Sequence, residues 1–508
     1  ARRMWSKIAR TRKHMAELDM FRSIENNQHS TKLFWRRVKE LYNPLKEGRL
    51  PRAVINLDGE VVTTQVEILN AWRDFVSNLG HEPDLRERDP HSDRRSSEDD
   101  GPFDDEFASW VVEELRKING GENAEITAPE LNRSITFEEV HDVLRHLKYG
   151  TSPGDDGIVP ELLMKGGIGL EMALTKLFNF LWDGVLWPEA WRRAHLFPLY
   201  KKDGSHLDPG NYRNLAMMSV VAKCFETVLN NRLQSWAERM CSISDLQGGF
   251  RKERSTLDQI WILREIIAER KENGKPSYIT FIDVRKAYDR VWRAGLWKKL
   301  FDKGVRGKCL DVLQEMYRNV YRAVLVNDTK TDWFNVEAGV PQGAVLSPFL
   351  YSAYIDGLHQ ALRDHGLGVM VHGRLVSLLL YADDIVLLAD SPEEMRKMHS
   401  VVDEYAKKWR FTTNHTKSNV VVIGSRKQRD EVSAQTWSLG GQTIKVVGEY
   451  KYLGTEMGKV GPGMCNTALA RFHKEATNMS NLITWVTRGK AGLRPSAAVQ
   501  IWISLGRP

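Results

Sequence analysis

The sequence feature that most constrains the fold is a pair of adjacent acids inside an apolar run. Residues 377–389 have the sequence SLLLYADDIVLLA, so Asp383 and Asp384 separate two strongly apolar segments. Runs of this length and composition predict a β-hairpin with a three-residue tip at 382–384. Other acidic pairs in the chain lie in polar or glycine-rich surroundings, where a solvated loop explains them. The hairpin therefore predicts two carboxylates at the end of buried strands.

A third acid ends another apolar run. Residues 278–282 are Tyr, Ile, Thr, Phe and Ile, and Asp283 follows them directly. An ionised carboxylate beside a buried strand is costly unless a cation neutralises it. Hard carboxylate oxygens suit Mg²⁺. The sequence therefore predicts a divalent-metal site formed by Asp283, Asp383 and Asp384.

Length and composition restrict the remaining possibilities. The chain has 508 residues, of which 42% are hydrophobic and 27% charged, a balance that builds large cores in two or three structural units. No run of about 18 apolar residues is present, so no membrane span is predicted. The four cysteines are far apart, which argues against a zinc site or a disulfide framework and predicts reduced thiols in an intracellular protein.

Charge is unevenly distributed along the chain. Residues 1–42 contain 11 Lys and Arg against four Asp and Glu, whereas residues 82–106 contain 11 acids against four arginines. Helical spacing of apolar residues in the first segment predicts a basic helix suited to a nucleic-acid backbone, with a solvated helix face as the alternative. The acidic run predicts a solvated linker. Because the first residue is not Met and the last residues follow a helix-like run, we expect a fragment of a longer protein.

A further segment predicts a loop that leads into a helix. Residues 339–350 have the sequence GVPQGAVLSPFL, in which Gly and Pro mark the loop and apolar residues then recur at helical spacing. A loop that precedes a helix allows the backbone to approach a ligand closely.

Taken together, these segments resemble the reverse transcriptases of non-LTR, LINE-like retrotransposons. The matching motifs are FIDVRKAYD at 281–289, GVPQG at 339–343 and YADD at 381–384. Further pieces that resemble the family are TSPGDDGI at 151–158, the segment 198–213, NHTK at 414–417 and YLG at 452–454. Asn214 departs from the family, which usually has proline there. The resemblance extends over most of the chain, from about residue 34 to residue 489.

The resemblance implies an α+β right-hand polymerase fold with fingers, an antiparallel-sheet palm, a partial helical thumb and a helical N-terminal extension. The expected boundaries are a basic helical extension at 1–80, an acidic linker and helix at 81–130, fingers and palm at 131–455, and the start of a truncated thumb at 456–508. No nuclease domain is expected in this polypeptide, because the segments outside the polymerase body are short.

The resemblance also implies roles for individual residues. Asp283, Asp383 and Asp384 would be the catalytic carboxylates and, with the backbone carbonyl of Val284, would bind two Mg²⁺ ions. The residues expected to bind the nucleotide are Lys201, Lys202, Arg213, Tyr288, Gln342, Gly343 and Lys417. The cations would face the triphosphate, and Lys417 would protonate the leaving pyrophosphate. Without the motifs, a solvated surface would explain these cations.

The position of Tyr288 bears on whether the site accepts ribonucleotides or deoxyribonucleotides. It lies five residues after Asp283, where the family has an aromatic residue that crowds the ribose 2′ position. The resemblance therefore implies a preference for deoxynucleotides. A core tyrosine below the sheet is the alternative interpretation.

The implied function is that of an RNA-directed DNA polymerase that copies retrotransposon RNA from a DNA primer end by two-metal transfer. Its partners would be an RNA template, a DNA primer or target and dNTPs, with no membrane, and its expected location is the cytoplasm and nucleus. Two alternatives stay open: a catalytically inactive RNA-binding scaffold and a group II intron maturase, which shares the YADD hairpin. The intact acids disfavour the scaffold, and the helical segment before the fingers disfavours the maturase.

Overall fold

The computed structural model describes residues 50–81 (except Arg52), 103–119 and 128–458 (except Asp328). These residues belong to one unit that extends from Leu50 to Gly458. The predicted basic helix, most of the acidic linker and the predicted thumb helix lie outside the described residues. Helices and strands are mixed throughout this unit, in agreement with the predicted α+β class.

The elements of the described ranges are as follows. The helices are α1 (Gln65–Leu79), α2 (Asp105–Asn119), α3 (Pro129–Asn132), α4 (Phe137–Arg145), α5 (Pro160–Met164), α6 (Gly167–Gly184), α7 (Glu189–Arg192), α8 (Val220–Arg239), α9 (Thr256–Glu272), α10 (Arg293–Asp302), α11 (Lys308–Met316), α12 (Ser347–Ile355), α13 (Leu358–Asp364), α14 (Pro392–Lys408) and α15 (Arg426–Ser433). The strands are β1 (Val54–Ile55), β2 (Val61–Val62), β3 (Arg193–Tyr200), β4 (Tyr212–Met217), β5 (Ser277–Asp283), β6 (Val320–Val326), β7 (Thr329–Lys330), β8 (Phe334–Val336), β9 (Val369–Val371), β10 (Arg374–Val376), β11 (Leu378–Tyr381), β12 (Asp384–Ala389), β13 (Asn419–Ile423), β14 (Trp437–Leu439), β15 (Gln442–Val447), β16 (Tyr450–Tyr452) and β17 (Thr455–Met457). None of these helices is both long enough and apolar enough to cross a bilayer.

The larger sheet has six strands in the order β11-β12-β5-β13-β15-β14. In β5, the residues from Ser277 to Ile282 are buried, whereas the final residue, Asp283, is half-buried. The apolar, β-branched and aromatic residues of this run suit a strand that is covered on both faces. The sheet therefore presents an acid at the point where a buried strand ends.

One pair of neighbours in this sheet departs from the antiparallel arrangement that the family resemblance implies. Strands β13 and β15 run parallel, whereas the other neighbouring pairs of the sheet are antiparallel. Parallel neighbours need a connection that crosses back along the sheet. Residues 424–441, which include α15 and β14, make that connection.

Helix α14 covers one face of the larger sheet. It packs against β5, β12 and β14 and buries Met395, Met398 and Val402, which recur at helical spacing. The Ser391 hydroxyl oxygen caps the first turn by accepting from the Glu394 N–H at 3.1 Å. Burial of each such apolar side chain contributes roughly 1.5–3 kcal/mol, so the helix and the sheet stabilise each other.

The second sheet has the order β4-β3-β6-β7, and β8 also pairs with β6. Helix α1 packs on this sheet, where Trp72 shares a core with Leu196 of β3. A capping box of Thr64 and Glu67 begins the helix, and both of its reciprocal bonds are present. Residues 50–79 therefore pack into the core of the second sheet.

His399 lies on the buried face of α14, against β5. Its Nε2 atom is 2.9 Å from the hydroxyl oxygen of Thr280, and its ring makes an edge contact with Trp437. Burial lowers the pKa of His399 from 6.5 to about 4. The imidazole is therefore neutral in the folded protein over the whole physiological range.

We predict that His399→Gln makes the stability of the protein less dependent on pH. The unfolded chain binds a proton at this residue near pH 6.5, whereas the folded chain does so only near pH 4. The contribution of the neutral His399 to the free energy of unfolding is therefore fully present above about pH 6.5. It is lost as the pH falls toward 4, by up to roughly 3 kcal/mol. Glutamine keeps an amide that can bond Thr280 but does not titrate. Denaturant unfolding across this pH range measures the difference, and parallel curves for the two proteins would contradict the prediction.

Candidate active site

The hairpin of the larger sheet brings the predicted acids together. Strands β11 and β12 pair with Tyr381 opposite Asp384, so the turn consists of Ala382 and Asp383 only. The prediction of a three-residue tip is wrong by one residue, because Asp384 already pairs within the sheet. On its other edge β12 pairs with β5, and Asp384 lies directly opposite Asp283.

These three acids repel one another. Residues opposite each other on neighbouring antiparallel strands point to the same face of the sheet, so Asp283 and Asp384 share a face. Burial, together with the charges of Asp383 and Asp283, raises the pKa of Asp384 to about 7. Burial also raises the pKa of Asp383; the charge of Asp283 acts in the same direction, and that of Arg213 lowers it. Positive charge between the carboxylates would relieve this repulsion.

The metal prediction is supported by donor chemistry rather than by a preformed ligand shell. In the ranges that the structure describes, no group of three or more His, Cys, Asp or Glu side chains is arranged to hold a metal ion. Carboxylate and carbonyl oxygens are nevertheless the ligands that Mg²⁺ prefers, and mutually repelling carboxylates need a cation. The residues therefore fit a hard divalent ion in their chemistry.

The backbone at Val284 points away from the neighbouring strand. The Arg285 N–H donates to the Thr412 carbonyl at 2.9 Å, and the Asn414 N–H donates to the Asp283 carbonyl at 2.8 Å. Val284 lies between these two bonds. In an antiparallel ladder, the N–H and C=O of such a residue point away from the partner strand. The carbonyl of Val284 is therefore available to a ligand on the side of β12.

Asn414 and Ser418 fix the position of Asp283. The Asn414 side-chain amide donates to the Asp283 carboxylate at 2.9 Å, and the Ser418 hydroxyl oxygen accepts from the Asp283 N–H at 3.1 Å. The sequence places Asn414 in a family-like segment but assigns it no role. Its contact shows that this segment orients the strand acid.

Gln247 supports the hairpin from its outer edge, and sequence reasoning missed it. Its side-chain carbonyl accepts from the Gly249 N–H at 2.8 Å and from the Ala382 N–H at 3.0 Å. Leu246 and Gly248 exchange backbone bonds with Leu380, so this segment extends the edge of β11. The only local sequence signal near Gln247 is the Gly-Gly pair at 248–249. That pair predicts a turn and does not indicate that Gln247 bonds the hairpin.

Ala382 adopts a backbone conformation that needs this support. Its φ is +57°, in the left-handed region that costs a residue with a Cβ roughly 1–2 kcal/mol. The bond from Gln247 and the close approach of Gly249 hold the turn in place. The position of Asp383, the next residue, depends on this turn.

Basic side chains from separate segments lie near the acids. Burial lowers the pKa of Lys201, and the charges of Lys417 and Arg213 also lower it, whereas Asp289 and Asp283 raise it. Such mutual effects require these groups to be close in space. Lys201, Arg213 and Lys417, three of the predicted nucleotide-binding residues, therefore converge beside the acids.

The remaining contacts of these cations are weak. The Lys417 ammonium is 3.4 Å from the Asp203 carboxylate, with both side chains exposed, and exposed pairs contribute little. The Lys201 ammonium donates to the Gly210 carbonyl at 3.2 Å. Lys202 is exposed in the turn after β3, with a φ of +61°. A ligand that carries several negative charges could replace the weak contacts of Lys201 and Lys417.

Tyr288 lies next to the hairpin acids. Its ring stacks on Tyr351 with centroids 5.0 Å apart and planes 21° apart. Tyr288 is half-buried, and its hydroxyl has no hydrogen-bond partner among the described residues. Burial raises the pKa of Tyr288, and the nearby charge of Asp383 adds to the effect. The ring is therefore close to the acids and partly accessible.

The loop before α12 carries Gln342 and Gly343. The Gln342 carbonyl accepts from the Ala216 N–H at 2.8 Å, and its side-chain amide donates to the Asp289 carboxylate at 3.1 Å. Gly343 is exposed and has a φ of +99°, which favours glycine. Burial raises the pKa of Asp289. Sequence reasoning assigned Asp289 no role, yet it holds a predicted nucleotide-pocket residue.

The hairpin of β16 and β17 places aromatic side chains against β5. Tyr450 stacks on Phe281 with ring centroids 4.3 Å apart, and Tyr452 also contacts Phe281. Burial, together with the charges of Asp384 and Asp283, raises the pKa of Tyr450 to about 12. The hairpin that includes residues 452–454, one of the segments that resemble the family, therefore lies beside the acids.

We predict that Gly249→Ala destabilises the protein through the hairpin of β11 and β12. A Cβ at this position would lie 2.3 Å from the Ala382 nitrogen and 3.0 Å from the Tyr381 carbonyl carbon, and such overpacking costs about 1–3 kcal/mol. Gly169→Ala is the control, because a Cβ there meets no atom within 4 Å. Denaturant unfolding measures both variants, and equal midpoints would show that the hairpin tolerates the extra methyl group.

Comparison with known proteins matches this site to a family. The model of the reverse transcriptase (RNA-dependent DNA polymerase) family matches residues 200–457, just over half of the chain. The matched region includes the three acids, the loop with Gln342, Lys201 and the strand β4 that carries Arg213.

Curated relatives include several polymerases of mobile elements. The probable RNA-directed DNA polymerase from transposon BS of Drosophila melanogaster is 26% identical over 391 residues, which cover 73% of this chain and 42% of that protein. The RNA-directed DNA polymerase from mobile element jockey of the same species is 27% identical over 330 residues, 63% of this chain and 35% of that protein. The putative 115 kDa protein in type-1 retrotransposable element R1DM, also from that species, is 25% identical over 392 residues, 75% of this chain and 36% of that protein.

The chain spans less than half the length of each of these relatives. Their names confirm the resemblance to retrotransposon enzymes that the three sequence motifs carry. With the family model covering the paired acids and the six-stranded sheet around them, the chain belongs to the reverse transcriptase family, with its relatives among LINE-like retrotransposons.

Proposed function

We propose that this chain is an RNA-directed DNA polymerase that extends a DNA primer end with dNTPs on an RNA template. The observation that carries the proposal is the pairing of Asp283 with Asp384, with Asp383 adjacent in the turn. Three cations lie close to this pair of acids or to one another: the charges of Arg213 and Lys417 act on the pKa of Lys201, and Arg213 also lowers the pKa of Asp383. An acidic centre bordered by cations suits a triphosphate that carries a divalent ion.

Asp283, Asp383 and Asp384, with the Val284 carbonyl, would hold two Mg²⁺ ions. Bound there, the ions would activate the primer 3′-hydroxyl and stabilise the leaving pyrophosphate. The side chains of Lys201, Lys202 and Arg213 would bind the phosphates, and Lys417 would donate a proton to the pyrophosphate. The bonds from Asn414 and Ser418 to Asp283 support this assignment, because they orient the strand acid before any ligand binds.

The nucleotide pocket would lie between the hairpin and the loop before α12. Gln342 and Gly343 would line it from the loop, and Tyr288 would close it at the sugar. The stacked partner Tyr351 keeps the Tyr288 ring from turning away. A rigid ring at this point would exclude a ribose 2′-hydroxyl and so favour deoxynucleotides.

The two sheets would correspond to parts of a right hand. The six-stranded sheet with the acids would be the palm, and the β3–β4 hairpin with Lys201 and Arg213 would belong to the fingers. The thumb would begin near residue 456, as the sequence predicts. The basic segment 1–42, with its 11 Lys and Arg, would contribute to binding of the RNA template.

We also propose that the chain works in the reducing interior of the cell, in the cytoplasm and nucleus. Cys224, Cys241 and Cys309 are free thiols, and burial raises the pKa of Cys224 and Cys309 to about 12. Free thiols suit a reducing compartment.

The two alternatives have less support. A scaffold that only binds RNA needs neither a strand acid oriented by Asn414 nor a supported hairpin turn. A maturase shares the hairpin, but the relatives named above are polymerases and proteins of mobile elements. RNA splicing by the purified chain, without primer extension, would favour the maturase.

The test of the proposed function is primer extension by the purified chain on an RNA template with dNTPs and Mg²⁺. We predict that Asp283→Asn and Asp384→Asn each reduce extension at least about a thousandfold, because a lost metal ligand removes several kcal/mol of transition-state stabilisation. Both variants should unfold at the wild-type denaturant concentration or above it. Asp58→Asn, at an exposed turn, is the control. Full extension by either active-site variant would refute the assignment.

A second prediction concerns the sugar. Tyr288→Ala should raise the incorporation of ribonucleotides relative to deoxynucleotides by about tenfold or more, because the ring that occupies the 2′ position is gone. Tyr288→Phe keeps the ring and its stacking on Tyr351 and should keep the wild-type ratio. Single-nucleotide insertion kinetics give both ratios. If alanine and phenylalanine behave alike, the ring does not select the sugar.

A further inference from the structure

Glu226 is a buried acid that contacts the nucleotide-pocket loop from behind. It lies in α8 and is only 3% exposed. Its carboxylate accepts from the Val345 N–H at 3.0 Å, and the nearby Leu346 N–H also favours its charged form. These two amides immediately precede α12, whose first residue is Ser347.

The start of α12 has no capping side chain of its own. A polar residue at the N-cap usually accepts from the first amides of a helix. Here the N-cap is Leu346, which makes no side-chain capping bond. Glu226, on a helix 119 residues away in sequence, instead accepts from the Val345 N–H just before the N-cap and so fixes the chain where it enters α12. Its negative charge also suits the positive end of the helix dipole.

The other end of the same loop is held by a buried cation. The Arg293 guanidinium donates to the carbonyls of Gly339 at 3.0 Å and Ala338 at 3.1 Å. Gln342 and Gly343 therefore lie in a short segment whose two ends are each bonded to a buried, ionisable side chain. Movement at either end would displace the predicted nucleotide-pocket residues.

The surroundings of Glu226 are costly for a charge. Burial raises its pKa to about 7, and Lys223 of the same helix and Arg322 of β6 lower it. Tyr317 lies near Glu226. Burial raises the pKa of Tyr317, and the charge of Glu226 adds to the effect. Burial outweighs the contacts that favour the charged form, so the carboxylate is held here at a cost to stability. The stability of the fold alone therefore gives little reason for this carboxylate.

We propose that Glu226 is a positioning residue for the nucleotide-binding loop: it fixes Val345 and Leu346 so that Gln342 and Gly343 meet the incoming dNTP. The inference rests on the proposed polymerase function. It predicts that the loss of the carboxylate weakens nucleotide binding, whereas the affinity for the template–primer duplex stays unchanged.

The test compares Glu226→Leu with Glu226→Gln in single-nucleotide extension with varied dNTP. Leucine removes both acceptors at similar volume and should raise the KM for dNTP by about tenfold or more, with a smaller change in kcat. Glutamine keeps one neutral acceptor and should raise this KM by about threefold. Asn230→Leu, at a buried polar residue one turn further along α8 that makes no hydrogen bond to the loop within the described residues, should keep the wild-type KM.

Three outcomes would overturn the proposal. The first is a wild-type KM for dNTP in Glu226→Leu. The second is a loss of affinity for the template–primer duplex by the same factor as the rise in KM, which would show a structural role only. The third is a wild-type KM in Glu226→Gln, which decides the question if the leucine variant does not fold.

Amide hydrogen exchange separates this proposal from the proposed function. In the free protein, the Val345 and Leu346 amides should exchange at least about tenfold faster in Glu226→Leu than in the wild type. Unchanged exchange at both amides contradicts the role of Glu226 whether or not the chain extends primers. If the two amides exchange faster in Glu226→Leu but the wild-type chain extends no primer, the polymerase assignment is refuted and, with it, the nucleotide-binding purpose of the loop.

Discussion

The pairing of Asp384 with Asp283 across β12 and β5 is the interaction on which the site depends. It places two carboxylates on one face at the end of buried strands, with a third in the adjoining turn. Their mutual repulsion and burial raise the pKa of Asp384 to about 7. The surrounding cations, including Arg213 and Lys201, gather where this excess of negative charge needs compensation.

Side chains from distant parts of the chain position the acids and the loop before α12. Gln247 holds the hairpin turn, Asn414 orients Asp283, and Glu226 bonds the loop before α12. Each of these contacts fixes a backbone or a carboxylate before a ligand binds. Such preorganisation lowers the cost of assembling a catalytic geometry when substrate arrives.

The sequence predicted local features well and distant contacts poorly. The acids of the hairpin and of β5 were visible because each interrupts or ends an apolar run. Gln247, Asn414 and Glu226 were missed because their contacts join residues 135, 131 and 119 positions apart. The hairpin tip was misplaced by one residue because pairing with β5, which no local pattern reveals, draws Asp384 into the strand.

The central claim is that the three acids form one divalent-cation site. Calorimetric titration with Mn²⁺ tests it most directly, with the wild-type chain compared with a double variant that carries Asp283→Asn and Asp384→Asn. The account predicts saturable binding by the wild-type chain and an affinity at least about tenfold weaker in the double variant. Equal Mn²⁺ affinity in the two proteins would contradict it.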